Sequence, residues 1–310
     1  YNLTRAEFIR RDDALDPLWP ESPAARWSKG YLRHLLQTNE PTAARIITLH
    51  NVGWLLRFMD RMAHAIRAGE FCLDAIHQDY SYVGSVIDNP NVIDRETGQE
   101  ATSAFLAIYD LTGEQAWLDA AVQAARYTET WMYAYDVPPE IGRDDCDFPA
   151  DRSIVGQTVI ATGHSAADLG LAFSSFDYYR LYLFTGDAHF LKIARLLVHN
   201  TKQSLNWDGR LYPGKPKGLQ LEAFTVTVPR RKGVMQCLSW NYAAHLDPLI
   251  RFQDTFGSMD IEVIERLPLA RRLELNQRLE GGGCQQRPEH LLPTSIRHPE
   301  FKPTCSPSGA

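Results

Sequence analysis

The sequence contains two similar stretches: IYDLTGEQAWLDAAVQAARYTETWMY, which begins at Ile108, and LYLFTGDAHFLKIARLLVHNTKQSLN, which begins at Leu181. Each reads as the end of an apolar helix, a Thr-Gly-acid turn and a second, amphipathic helix. Gly113 and Gly186 can take the left-handed conformation that ends a helix, and the acid after each lies near the positive N-terminus of the next helix. The two stretches therefore predict two antiparallel helical hairpins.

The two hairpins are copies of one pattern, because 73 residues separate Thr112 from Thr185. Apolar residues recur at helical spacing in the second helix of each copy, so each of these helices buries one stripe. One hairpin cannot cover its whole apolar face alone. The repeat therefore predicts that neighbouring hairpins pack together in a solenoid or a closed ring.

Composition narrows the class of protein. The 310 residues are 44% hydrophobic and 23% charged, which is typical of a soluble globular chain. The net charge of −6 and the lack of a basic stripe argue against a nucleic-acid partner. No apolar run is long enough to span a membrane, and no signal peptide is visible. The five cysteines are odd in number and lack C-x-x-C pairing, which argues against a zinc ribbon or a disulfide scaffold.

The chain divides by pattern into three parts. Residues 1–22 are polar and broken by Pro17 and Pro20, so we predict a lead-in segment. Residues 23–280 carry the helical pattern and form the domain. Within it, Pro41 begins a long amphipathic helix whose apolar side holds Ile46, Leu49, Val52, Leu56, Met59, Ala63 and Ile66. Residues 281–310 are rich in Pro, Gly and Ser, which predicts a disordered tail.

This organisation resembles the six-hairpin glycosidase superfamily. The residues that carry the resemblance are the two hairpin turns, the loop DYSYVGSVID from Asp79, the stretch GHSAADLGLAFSSFDYYRLYLFTGD from Gly163, and NWDGRLYPG followed by GLQLEAF. The resemblance covers residues 23–259. It implies an all-α fold, an (α/α) toroid of alternating inner and outer helices. Only three or four hairpins can be counted, so it leaves open whether the ring closes within this chain.

The resemblance implies glycoside hydrolysis of a glycan by carboxylate acid/base chemistry, with a uronic-acid-containing glycan as one option. Such cleavage needs one protonated carboxyl group and a second carboxylate. His164 and Asp168 lie four residues apart at the expected start of an inner helix, so they share a face. We predict Asp168 and Asp88 as the carboxylates and His164 as a binding or proton-transfer group. For Asp168, stabilisation of a first helical turn by the helix dipole is the structural alternative.

Further polar and aromatic residues are predicted to bind the sugar chain. Loops and helix starts place them at the mouth of a toroid, and Glu222 has apolar neighbours that favour the neutral acid. Arg180, Arg143 or Arg152 could meet a substrate carboxylate. The predicted substrate-binding residues are Asp79, Tyr80, Tyr82, Trp207, Glu222, Trp240, His245 and Arg180. Solvated turns are the structural alternative for the loop acids, and core packing is the alternative for aromatic residues at helical spacing such as Trp240. An ion pair with Asp177 is the alternative for Arg180, and an exposed strand position is the alternative for Glu222.

Three other functions stay open at this point. An epimerase on the same toroid would use His164 and His245 for proton transfer, and a polysaccharide lyase would use Tyr82, His164 and Arg180. A helical repeat can also bind a glycan or a protein without catalysis. The ten histidines show no metal-ligand spacing, so no metal and no cofactor are expected.

Overall fold

A computed structural model describes residues 3–74, 78–83, 91–136, 151–162, 166–210, 216–220, 223–225 and 239–277. The chain divides into two compact units, Tyr1–Ala68 (unit 1) and Gly69–Ala310 (unit 2). This division differs from the predicted one, which placed a boundary at residue 22. The predicted tail, residues 281–310, lies outside the described residues.

Unit 1 begins with a short 3-10 helix, Ala6–Phe8, followed by α1 (Lys29–Gln37) and most of α2 (Pro41–Cys72). The side chain of Ser28 accepts a hydrogen bond of 3.1 Å from the amide of Tyr31, so α1 begins with a capped first turn. The core consists of five buried apolar side chains, Leu3, Leu15, Ala24, Leu32 and Ile46.

Residues 3–22 are therefore part of this unit. Leu3 and Leu15 pack in its core although the segment is polar and contains two prolines. Arg11 and Lys29 both hydrogen-bond the carboxylate of Asp13, and these bonds lower the pKa of Asp13. The segment reads as a lead-in because its two core residues are too far apart to show a periodic pattern.

The predicted apolar side of α2 is mostly exposed in the structure. Of that stripe Ile46 is buried, whereas Leu49, Val52, Leu56 and Met59 are each more than half exposed. The buried side of the first turns is formed by Ala43, Ile46 and His50 instead. Helical periodicity identifies which residues share a face, but it does not tell whether another element covers that face.

Unit 2 contains two helical hairpins. The first pairs α3 (Arg95–Thr112) with α4 (Gln115–Glu129), and the second pairs α5 (Ser175–Thr185) with α6 (Ala188–Asn200). Two three-residue strands, β1 (Ala166–Asp168) and β2 (Ala223–Thr225), form an antiparallel pair with Asp168 opposite Ala223. The last described helices are α7 (Ser239–Phe256), α8 (Ile261–Ile264) and α9 (Leu269–Gln277).

The two predicted hairpin turns are confirmed. Gly113 and Gly186 end their helices with φ of 70° and 72°. The hydroxyl of Thr112 donates to the carbonyl of Ile108 (3.0 Å) and accepts from the amide of Glu114 (3.2 Å). Thr185 does the same in the second copy, at 2.7 Å and 3.1 Å. Both turns use one geometry because both sequences place Thr, Gly and an acid in that order.

We expect Gly186→Ala to lower the free energy of unfolding by roughly 1 to 2 kcal/mol, because a Cβ is unfavourable at positive φ. Chemical denaturation followed by circular dichroism measures the loss. Gly186→Asn is the matched control, and it should lose less because asparagine visits the left-handed region more readily. Equal stability of the alanine variant and the wild type would contradict the proposed cause of the turn.

Two hairpins, a strand pair and further helices account for the described part of unit 2. The (α/α) toroid stays a prediction. In the part of the chain that the structure describes, none of the helices combines the length and the apolar character needed to cross a bilayer.

Candidate functional site

The predicted catalytic carboxylate Asp168 lies on β1 and not at the start of an inner helix. That helix, α5, begins seven residues later at Ser175. Asp168 is 2% exposed, its carboxylate lies 3.0 Å from the guanidinium of Arg95, and it accepts a 2.6 Å hydrogen bond from the amide of Gly170. The prediction of a helical position was wrong because β1 forms by pairing with β2, a segment that is distant in sequence.

The surroundings of Asp168 describe a buried ion pair. Arg95 is 1% exposed and also hydrogen-bonds the side chain of Gln99. Glu96 lies 3.5 Å from the same guanidinium, and burial raises the pKa of Glu96, with the nearby Asp168 charge adding to the effect. A charge that is buried away from water destabilises the fold unless an opposite charge lies close to it. The geometry thus gives Asp168 a structural partner that joins β1 to α3.

The tyrosines of the predicted site form a ring cluster with Tyr127 of α4. Tyr82 is 1% exposed, with its ring centroid 4.4 Å from that of Tyr127, and burial raises the pKa of Tyr82. Tyr80 is about half exposed and lies 6.1 Å from Tyr127. Asp79 is exposed beside it. Core packing therefore accounts for the position of Tyr82, and its role in binding a ligand stays a prediction.

Arg180 is also buried and paired. Its guanidinium lies 2.5 Å from the carboxylate of Asp110 and donates to the side-chain oxygen of Asn276 at 2.9 Å. It does not meet Asp177, one turn earlier, which pairs with Arg251 at 3.4 Å. These protein partners give the guanidinium of Arg180 a structural position, and its role in substrate binding stays a prediction.

The other predicted site residues are spread along unit 2. Trp207 is 58% exposed, with the Arg152 guanidinium 5.4 Å from its ring, and Arg152 itself pairs with Asp208. His245 is partly buried on α7, where burial lowers its pKa. Trp240 lies in the same helix. Four predicted residues lie outside the described residues: Asp88, Arg143, His164 and Glu222.

A different cavity, in unit 1, brings aromatic and basic side chains together. It has a volume of about 180 Å³, and we call it the aromatic–arginine groove. Its lining residues are Asp16, Leu18, Trp19, Trp54, Arg57, Phe58 and Arg61. Four of them come from successive turns of α2, where residues three and four apart share a face.

The rings of Trp54 and Phe58 form one side of the groove. They are stacked, with centroids 5.4 Å apart and planes 5° apart, and both rings are about half exposed. The guanidinium of Arg57 lies 5.5 Å from the centre of the Trp19 ring. Among the described residues, no ion pair joins Arg57 or Arg61 to a carboxylate. The groove therefore presents flat apolar surfaces and two cations to solvent.

Packing beneath the groove holds Trp19 in position. Its ring lies 5.4 Å from that of His50, and Nδ1 of His50 is 2.6 Å from the hydroxyl of Ser22. Burial lowers the pKa of His50, which favours the neutral ring. Gly53 allows the approach, because a Cβ there would lie 2.9 Å from the Trp19 ring. A second cavity of about 310 Å³ in unit 1 is lined by residues that include Asp12, Arg26 and Trp27.

Unit 1 differs from the rest of the chain in charge. Residues 1–68 hold ten Lys and Arg against seven Asp and Glu, a net charge of +3, so the remaining residues carry −9 of the total of −6. The overall charge of −6 conceals this contrast. The groove was not predicted, because only one apolar side of α2 was followed. The signal that could have indicated it is the spacing of four residues between Trp54 and Phe58 and between Arg57 and Arg61.

The family match to known proteins lies at the N-terminal end of the chain and includes unit 1. Residues 1–78 match the sequence profile of the family TGT, queuine tRNA-ribosyltransferase. Similar relatives include queuine tRNA-ribosyltransferases of Solidesulfovibrio magneticus and Herpetosiphon aurantiacus. The first is 40% identical over 70 residues, which are 23% of this chain and 19% of the relative. The second is 38% identical over 65 residues, which are 21% of this chain and 17% of the relative.

The match is local. The enzyme of the same name from Gloeobacter violaceus is 33% identical over 88 residues, 28% of this chain and 23% of the relative. The chain thus spans about a fifth of the length of the curated relatives it matches. No solved structure matches the chain at a significant level.

These matches correct the function inferred from the sequence. The resemblance to six-hairpin glycosidases was wrong, and so were the glycan substrate and the assignment to the hydrolases, because the matched proteins are named as transferases of tRNA. The exclusion of a nucleic-acid partner was wrong for the same reason. Its physical basis failed because an overall negative charge does not describe unit 1.

Proposed function

We propose that the protein takes part in ribosyl transfer on tRNA and that residues 1–78 supply a tRNA-binding segment. The observation that carries the proposal is the family match over residues 1–78, which includes all of unit 1. The net charge of +3 on residues 1–68 supports it, because Lys and Arg provide most of the affinity of proteins for phosphate backbones.

The reaction named for the relatives joins queuine to a ribose of tRNA. Such a transfer breaks the bond between a ribose and its base and forms a bond from that ribose to the incoming base. The original base is released and takes up the proton that the incoming base loses. An enzyme of this kind must hold the polynucleotide as well as the base, and a positively charged surface of a separate unit suits the first task. We assign the tRNA contact to unit 1 and no step of the bond exchange to a described residue.

A tRNA-binding measurement tests the proposal. Purified protein is titrated into a labelled, unmodified tRNA transcript at several salt concentrations, with duplex DNA as a competitor. We expect saturable binding that weakens as salt rises between about 50 and 200 mM, since bound phosphates release counterions. Absence of tRNA binding at the lowest salt concentration would overturn the proposal.

A further inference from the structure

We infer that the aromatic–arginine groove of unit 1 binds an unpaired nucleotide of RNA, with the base stacked on Trp54 or Phe58 and the phosphates held by Arg57 and Arg61. This inference rests on the proposed function, since it names the surface through which unit 1 contacts tRNA.

The aromatic side of the groove suits a base. Trp54 and Phe58 lie in nearly parallel planes, 5° apart, so a base placed against either ring continues an existing stack. Both rings are about half exposed, although rings of this size usually gain stability from full burial. Single-stranded nucleic acids bind to protein platforms of this kind by base–aromatic stacking.

The basic residues complete the match to a nucleotide. Arg57 and Arg61 lie one turn apart on the same face of α2 as the rings, and both line the groove. Neither guanidinium forms an ion pair with a carboxylate among the described residues, so their donors are available to phosphate oxygens. Asp16, the one acid in the lining, accepts a hydrogen bond from the amide of Leu18, and the lining keeps a net positive charge.

The size of the groove limits the ligand. A cavity of about 180 Å³ is smaller than the roughly 300 Å³ at the lower end of sites for drug-sized molecules. It accepts one flat ring system and leaves the sugar and phosphates at the surface. A paired base cannot enter, because both its faces are covered by neighbours in the duplex. The ligand is therefore an unpaired nucleotide, as found in the loops and ends of folded RNA.

The test separates stacking from charge with four variants. A fluorescent single-stranded RNA oligonucleotide of mixed sequence, the same oligonucleotide paired with its complement, and an unmodified tRNA are titrated with the wild type and with each variant. Binding is read by anisotropy over a range of salt concentrations. Trp54→Ala should weaken binding by about 5- to 160-fold with an unchanged salt dependence, because one stacking contact is lost. Arg57→Ala combined with Arg61→Ala should reduce the slope of log affinity against log salt by about 1.4, because two phosphate contacts are lost.

Arg26→Ala is the matched control. It removes one positive charge from the lining of the other cavity of unit 1, so it should leave the affinity within about twofold of the wild type. Trp54→Phe retains a stacking ring and should recover most of the affinity that Trp54→Ala loses. Circular dichroism melting curves verify that each variant is folded.

Three results would overturn the inference: equal losses in Arg26→Ala and in the arginine pair, unchanged affinity in Trp54→Ala, or preference for a perfect RNA duplex over the single strand. In each of these cases tRNA binding by the wild type persists, so the proposed function stands while the groove is excluded. Failure of the wild type to bind tRNA removes both.

Discussion

Replacing Asp168 with asparagine is expected to lower the free energy of unfolding by about 3 to 5 kcal/mol. The side chain keeps its size and can still accept from the amide of Gly170, so no cavity forms. The negative charge, however, is lost, and the guanidinium of Arg95 stays buried, because Arg95 is only 1% exposed. Removing one partner of a buried ion pair leaves an uncompensated charge away from water.

Chemical denaturation measures this loss, and the Asp151→Asn variant is the matched control. Asp151 forms an ion pair with Arg210 in which both side chains are more than half exposed, so its replacement should change stability by no more than about 0.5 kcal/mol. In Asp168→Asn, the carboxylate of Glu96 still lies 3.5 Å from the guanidinium of Arg95. We therefore expect a loss of stability near the lower end of the range of about 3 to 5 kcal/mol. A loss below about 1 kcal/mol in Asp168→Asn would contradict the structural role of this pair.

The Leu32→Ala variant is expected to lose about 2 to 5 kcal/mol of stability in unit 1. Leu32 is fully buried among Leu3, Leu15, Ala24 and Ile46, and these five side chains form the core of the unit. The smaller side chain leaves a cavity that such a small core cannot refill. A compact unit of this size has a small free energy of unfolding, so such a loss unfolds part of the protein. We therefore expect tRNA affinity to fall together with the folded fraction.

Thermal melting and limited proteolysis within residues 1–68 report on the folded fraction, and tRNA binding is measured at the same temperatures. Leu55→Ala is the control, because Leu55 is half exposed on α2 and its truncation should cost far less than that of Leu32. If Leu32→Ala melts with the wild type, the five-residue core does not hold unit 1 together.

The helical hairpins of unit 2 were predictable because their determinants are local. Thr, Gly and an acid define the turn within four residues, and a left-handed glycine followed by a charged helix start has one common geometry. The structure confirms both turns, at Gly113 and Gly186. The toroid that these hairpins suggested stays a prediction, since it depends on how several hairpins pack.

The candidate site was not predictable in the same way. His164 and Asp168 were paired because residues four apart share a helical face, but Asp168 lies on a strand whose partner, Ala223, is distant in sequence. The groove depends on Trp19, which lies in a loop more than thirty residues before Trp54. A pattern within one helix shows Trp54, Arg57, Phe58 and Arg61 on one face, but not the loop that turns this face into a cavity.

The two hairpin turns, the helical character of α2 and the positive charge of residues 1–68 follow from the sequence alone, because propensity, capping and net charge are properties of short segments. The packing of distant segments specifies which side of α2 is covered, that Arg95 neutralises Asp168, and that Trp19 contacts Arg57. These outcomes depend on the burial of charge and apolar surface between segments distant in the chain, and no local pattern specifies that burial.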